Sequence, residues 1–106
     1  MFAVYAAQPN RDDPLAALVV GERAEPAPEP GWVRVDVRAA SLNMHDLWTL
    51  RGVGIKPERF PMILGCDGAG VLADGSEVVI HSVITDPDWT GDETLDPKRT
   101  LLTELH

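Results

Sequence analysis

The chain has one cysteine, Cys66, in 106 residues. One thiol can build neither a disulfide framework nor the paired thiolates of a zinc knuckle, so structural zinc of that kind is excluded. No apolar run approaches the roughly 20 residues needed to cross a bilayer. The N-terminus also lacks the basic, then apolar, then small-residue order of a secretory signal, so the expected setting is cytoplasmic. Positive charge is scarce: Lys+Arg total 9 against 17 for Asp+Glu, a net charge of -8. Such a surface repels phosphate backbones and has no basic stripe, so neither nucleic acid nor a membrane is an expected partner. No G-x-x-x-x-G-K-[ST] phosphate loop occurs, and no internal repeat or low-complexity segment is present.

What is present reads as one small, mainly β domain. "FAVYA", Phe2 to Ala6, suits a first strand, and "LAALVVGER" a second. In "WVRVDVR", Trp32 to Arg38, three valines alternate with polar or bulky residues, the period of a half-buried strand. The prolines of "AEPAPEPG" ahead of it forbid helix and central strand. "SLNMHDLWTLRG" breaks the alternation: Met44, Leu47 and Leu50 fall at helical spacing, Asn43 can cap the start and Gly52 the end. In "VLADGSEVVI", Asp74-Gly75 sits between two apolar runs and predicts a β-hairpin. The tail from Thr85 to His106 shows no sustained period until its last few residues and is expected to be mostly loop.

"LGCDGAG", Leu64 to Gly70, concentrates three glycines around the thiol. A dinucleotide fingerprint needs G-x-G-x-x-G opening a helix. Here Gly65, Gly68 and Gly70 read G-x-x-G-x-G and lead into a hairpin, so the glycines are expected to serve positive backbone angles or close backbone packing. A metal site built from Cys66, His45 and Asp67 is the chemical alternative; it requires the fold to join two distant segments. His81 reads as a strand residue. "DPDWTGDETLDP" begins like a calcium loop, with Asp86, Asp88, Thr90 and Gly91 in place. Pro97 stands where the bidentate glutamate belongs, so the run is expected to be a solvated loop.

Taken in order, the valine strand, "AASLNMHDLWTLRG", "PMILGCDGAGVL" and the hairpin resemble the N-terminal domain of medium-chain dehydrogenases and reductases. The resemblance implies a partly open, GroES-like β-barrel with one or two short helices. "SLNMHDL" is similar to the family's cysteine-x-x-Asp-Leu helix, and "LGCDGAG" to its Gly-His-Glu-Gly loop, two segments that meet at the family's active site. Zinc-dependent members carry a cysteine where this chain has Asn43 and a histidine where it has Cys66. A carboxamide is a poor zinc ligand, so the pattern looks like the zinc-independent quinone oxidoreductases and enone reductases.

That resemblance implies hydride transfer from NADPH or NADH to a quinone, enone or other carbonyl acceptor, directed by orientation and hydrogen bonds. Asn43 is the first candidate donor, on the nicotinamide side. His45 is a candidate proton donor. Asp46 is expected to order the helix start, and Asp67 to orient its neighbours. The family's Rossmann domain has no counterpart here, so residues 1–106 are expected to form one truncated substrate-side domain that is inactive alone and binds no cofactor tightly. The alternative is a stand-alone GroES-like binding module whose open barrel edge pairs with a partner chain; a homo-oligomer is compatible with either reading.

Overall fold

The computed structural model describes residues 1–28, 30–85 and 98–104. Seven strands form two antiparallel sheets. The first holds β1 (Phe2–Ala6), β2 (Leu18–Glu22) and β4 (Met62–Ile63) in the order β2-β1-β4. The second holds β3 (Asp36–Ala39), β5 (Asp67–Val71), β6 (Glu77–Thr85) and β7 (Lys98–Glu104) in the order β3-β5-β6-β7. Among the described residues neither sheet closes on itself, which is the partly open, mainly β arrangement expected of a GroES-like domain. One α-helix, α1 (Met44–Arg51), joins the sheets. No described helix is long and apolar enough to cross a membrane.

Among the described residues the core is built around alanine. Ala6 of β1, Ala17 at the end of a 3-10 turn and Leu50 of α1 are buried together, with Leu47, Phe60 and Leu64 packed against them. Small side chains on β1 and the turn let the helix approach closely. Backbone bonds then lock it, from Asn10 N–H to the Leu50 carbonyl at 2.8 Å and from Ala7 N–H to the Ala17 carbonyl at 2.9 Å. A second buried point lies in the four-stranded sheet, where Val78 is fully enclosed.

α1 begins after Asn43 and ends on Gly52, which adopts the left-handed conformation (φ 74°) expected of a C-terminal cap. Its faces are inverted, however. Buried Asp46 and Thr49 accompany Leu50 on the inner side, while Met44 and Trp48 are about half exposed. The spacing of Met44, Leu47 and Leu50 therefore gives the helix but not its whole inner face, because Thr49 Oγ1 donates to the His45 carbonyl at 3.0 Å and Asp46 accepts the bonds described below.

The hairpin forms at Asp74-Gly75, with Gly75 at φ 89° and Leu72 N–H bonded to the Ser76 carbonyl at 2.9 Å. Two expectations need correction. The strand expected over Trp32 to Arg38 is regular only at Asp36–Ala39. Its partner β5 reaches Asp36 at Val71, so residues 32–35 run past the last rung of that ladder and, among the described residues, pair with no strand. The tail expected to be mostly loop contains β7, which pairs along β6 from Val78↔Glu104 to Thr85↔Lys98. Pairing with β6 orders these residues. The acidic run with Asp86, Asp88, Thr90, Gly91 and Pro97, and the terminal His106, lie outside the described residues.

Candidate active site

The segment Leu64 to Cys66 is the crossing between the two sheets: β4 ends at Ile63 in one, and β5 begins at Asp67 in the other. Leu64 N–H still bonds the Val4 carbonyl at 3.0 Å, which ties the start of the crossing to β1. Gly65 then turns at φ 111°, a conformation that L side chains rarely adopt. Gly68 and Gly70 serve a different need. A Cβ on Gly68 would stand 3.0 Å from the Ala39 carbonyl oxygen, and one on Gly70 2.5 Å from that of Asp36. The glycine cluster thus combines one bend with two close approaches of β3 to β5.

The N-terminus of α1 is fastened to this crossing by Asp46. Its Oδ2 accepts the Asn43 N–H at 2.9 Å, and its Oδ1 accepts the Gly65 N–H, also at 2.9 Å. Only 8% of Asp46 is exposed, so these bonds offset the cost of burying its carboxylate. A second fastening uses Asp67. Its Oδ1 accepts the Ser41 N–H at 3.1 Å, and its Oδ2 accepts the Ser41 hydroxyl at 2.7 Å and the Asn43 Nδ2 amide at 3.1 Å. The Asn43 amide also lies 3.4 Å from Ser41 Oγ.

Asn43, Asp46 and Asp67 are therefore brought together, across 19 to 26 residues of sequence, with Ser41 and the Gly65 amide between them. His45 sits half-buried on α1, its ring edge-on to Trp48 at a centroid distance of 6.3 Å. Cys66 is half-buried in the crossing. Among the described residues no three His, Cys, Asp or Glu side chains group as a metal site. The backbone of His81 pairs with Asp67 in the β6–β5 ladder.

Ser41 and the Gly65 amide were not singled out from the sequence. A serine two residues ahead of a helix cap is a common turn residue. Nothing in its local spacing reveals a partner 26 positions away. The Gly65 amide carries no side-chain signal at all.

A helix pinned by its first turn to a glycine crossing between two open β-sheets is consistent with a GroES-like domain. The family model of the alcohol dehydrogenase GroES-like domain matches residues 29–87, and the chain belongs to this family. It is 42% identical over 67 residues to a trans-enoyl reductase of Aspergillus terreus, covering 61% of this chain and 22% of that protein. It is also 42% identical over 50 residues to a zinc-type alcohol dehydrogenase-like protein of Schizosaccharomyces pombe, covering 47% of this chain and 14% of that one. A crystal structure of an NAD-dependent alcohol dehydrogenase superposes with a TM-score of 0.67 at 32% identity, over 96% of this chain and 33% of that chain. The chain thus spans a third or less of the length of these relatives.

Proposed function

We propose that the chain is the substrate-side part of an NAD(P)H-dependent, zinc-independent oxidoreductase that reduces an enone, a quinone or a related activated acceptor. The observation that carries this reading is the double fastening of "SLNMHDL" to "LGCDGAG" by Asp46 and Asp67. At the two positions where zinc-dependent relatives place metal ligands, this chain has Asn43, its amide already bonded to Asp67, and Cys66, a single thiolate that falls short of the set of protein donors zinc needs. That donor set does not fit zinc.

The dinucleotide does not fit this chain either. The glycine crossing enters strand β5 rather than a helix, and the first-turn carboxylate Asp46 already accepts an amide at the start of α1. A nucleotide domain outside these residues would hold the cofactor, which supplies hydride to the acceptor. The chain's own residues orient that acceptor. Asp67 holds one hydrogen of the Asn43 amide, and the second faces Ser41 only loosely at 3.4 Å, leaving it free to be claimed by an acceptor oxygen. His45, on the adjacent turn, would deliver the proton that balances the hydride. The half-exposed Met44 and Trp48 would give the acceptor an apolar flank.

Oxidation of NADPH or NADH in the presence of a small enone or quinone tests this reading. The chain alone should give no turnover. Addition of a separately produced nucleotide domain from a relative should give saturable turnover that is lost in Asn43→Ala. Turnover by the chain alone would contradict the reading. The second reading, a binding module without catalysis, is favoured by the exposed outer side of β3 and gains support if complementation fails while a partner chain binds there.

A further inference from the structure

β3 lies at one end of its sheet, paired with β5 on one side and with no described strand on the other. The Asp36 carbonyl stands against Gly70, on the β5 side. Strand alternation then turns the backbone groups of Val37 to the open side, and the same alternation carried one residue ahead of β3 turns those of Val35 there too. The stretch is also apolar where it is exposed: Val33 is 57% and Val37 58% accessible. Arg34, Asp36 and Arg38 are exposed between them. A bare edge of this kind invites another strand.

The sequence of the edge is complementary to itself. When "WVRVDVR" is laid antiparallel on a second copy about a two-fold axis at Val35, Val35 meets Val35 and Val33 meets Val37. On the opposite face Arg34 meets Asp36 and Trp32 meets Arg38. Every valine is matched with a valine, and each of the two Arg34–Asp36 pairs joins opposite charges. An axis at Asp36 would oppose Arg34 to Arg38. An axis at Val37 would set Val33 against Ser41 and run through the register shift between Val37 and Ala39. Among the described residues Arg34 makes a loose, exposed ion pair with Glu25 at 3.9 Å, a contact weak enough to yield to a closer partner.

We propose that two copies of this chain associate through the outer side of β3, in the antiparallel register centred on Val35, to make one continuous sheet. The occupant of the edge is a second copy because charge and apolar matching are satisfied by the chain's own sequence. Mutual repulsion between two chains of net charge -8 opposes the dimer at low salt. At physiological ionic strength that repulsion is screened beyond about 8 Å while the contacting pairs remain. This association is independent of the oxidoreductase reading.

Sedimentation velocity on the 106-residue chain, with circular dichroism to confirm folding, tests it. The wild-type chain should dimerise reversibly. Asp36→Arg places arginine against arginine, and Arg34→Asp places aspartate against aspartate, so each should weaken association on the order of 10- to 100-fold. An equimolar mixture of the two variants restores both opposite-charge pairs and should recover the dimer, as should the double variant carrying both changes. A wild-type chain that stays monomeric up to roughly 1 mM overturns the proposal. So does a dimer indifferent to both reversals, or a mixture of folded variants that fails to associate.

Discussion

The two ends of β5 are held by opposite means. At the Asp67 end, carboxylates of Asp67 and Asp46 gather the Ser41 and Gly65 amides, the Ser41 hydroxyl and both the backbone and side-chain amides of Asn43. At the Val71 end, bare glycine backbone lies against Asp36 and Val35, and an open groove of about 440 Å3 runs between Val33, Asp36 and the hairpin. One end is specified by directional bonds and the other by close contact. Among the described residues the buried apolar side chains are a few alanines, Leu50, Met62 and Val78, and the directional bonds at the polar end fix how helix and crossing sit together.

That difference ranks the expected effects of substitution. Asp46→Ala should be the most damaging, because it strips the acceptor from two backbone amides at once. A loss of about 3 kcal/mol is expected from two bonds to a charged acceptor, read as a lower urea midpoint at unchanged slope. An Asp46→Ala protein as stable as the wild type would mean the fastening contributes nothing. Gly70→Ala should cost less, about 1–3 kcal/mol, since its Cβ would meet backbone that can shift only by lifting β3 from β5. Its damage should be confined to the Val71 end, leaving the Gly65 amide resonance where it was.

The smallest effect belongs to the hairpin tip. Hydrogen bonds from the Ser76 side chain and backbone hold the Asp74 carboxyl below its ordinary value of 3.8. A carboxyl lowered in the folded state favours folding above its ordinary value, and that contribution is lost as pH falls through the lowered value. Ser76→Ala should raise the Asp74 titration midpoint toward 3.8, followed by NMR, while the Ser76 amide bond at 2.9 Å keeps part of the shift. Because Asp74 is fully exposed, unfolding measurements should barely register the change.

Local chemistry made much of the fold legible. Asp74-Gly75 announced its turn, Asn43 and Gly52 bounded α1, and "FAVYA" became β1 as spelled. Legibility failed where a partner decides the outcome. Residues 32–35 have a strand's alternation and no described strand beside them, whereas Lys98–Glu104 lack alternation and are ordered by β6. The site divided in the same way. Asn43, His45, Asp46 and Asp67 stand in segments whose motifs drew attention to them. Ser41 and the Gly65 amide belong to the site only through bonds across 26 and 19 residues, which no local pattern carries.

The most direct test of the site is an NMR titration of the chain with a small enone such as cyclohexenone. Saturable shifts at the Asn43 side-chain amide, His45 and Gly65, weakened by Asp67→Ala in a protein that still folds, are the predicted result. Shifts that never saturate, or that gather along the groove at Val33 and Asp36 and leave Asn43 and Gly65 unmoved, would contradict the assignment of this end of β5 as the place where an acceptor binds.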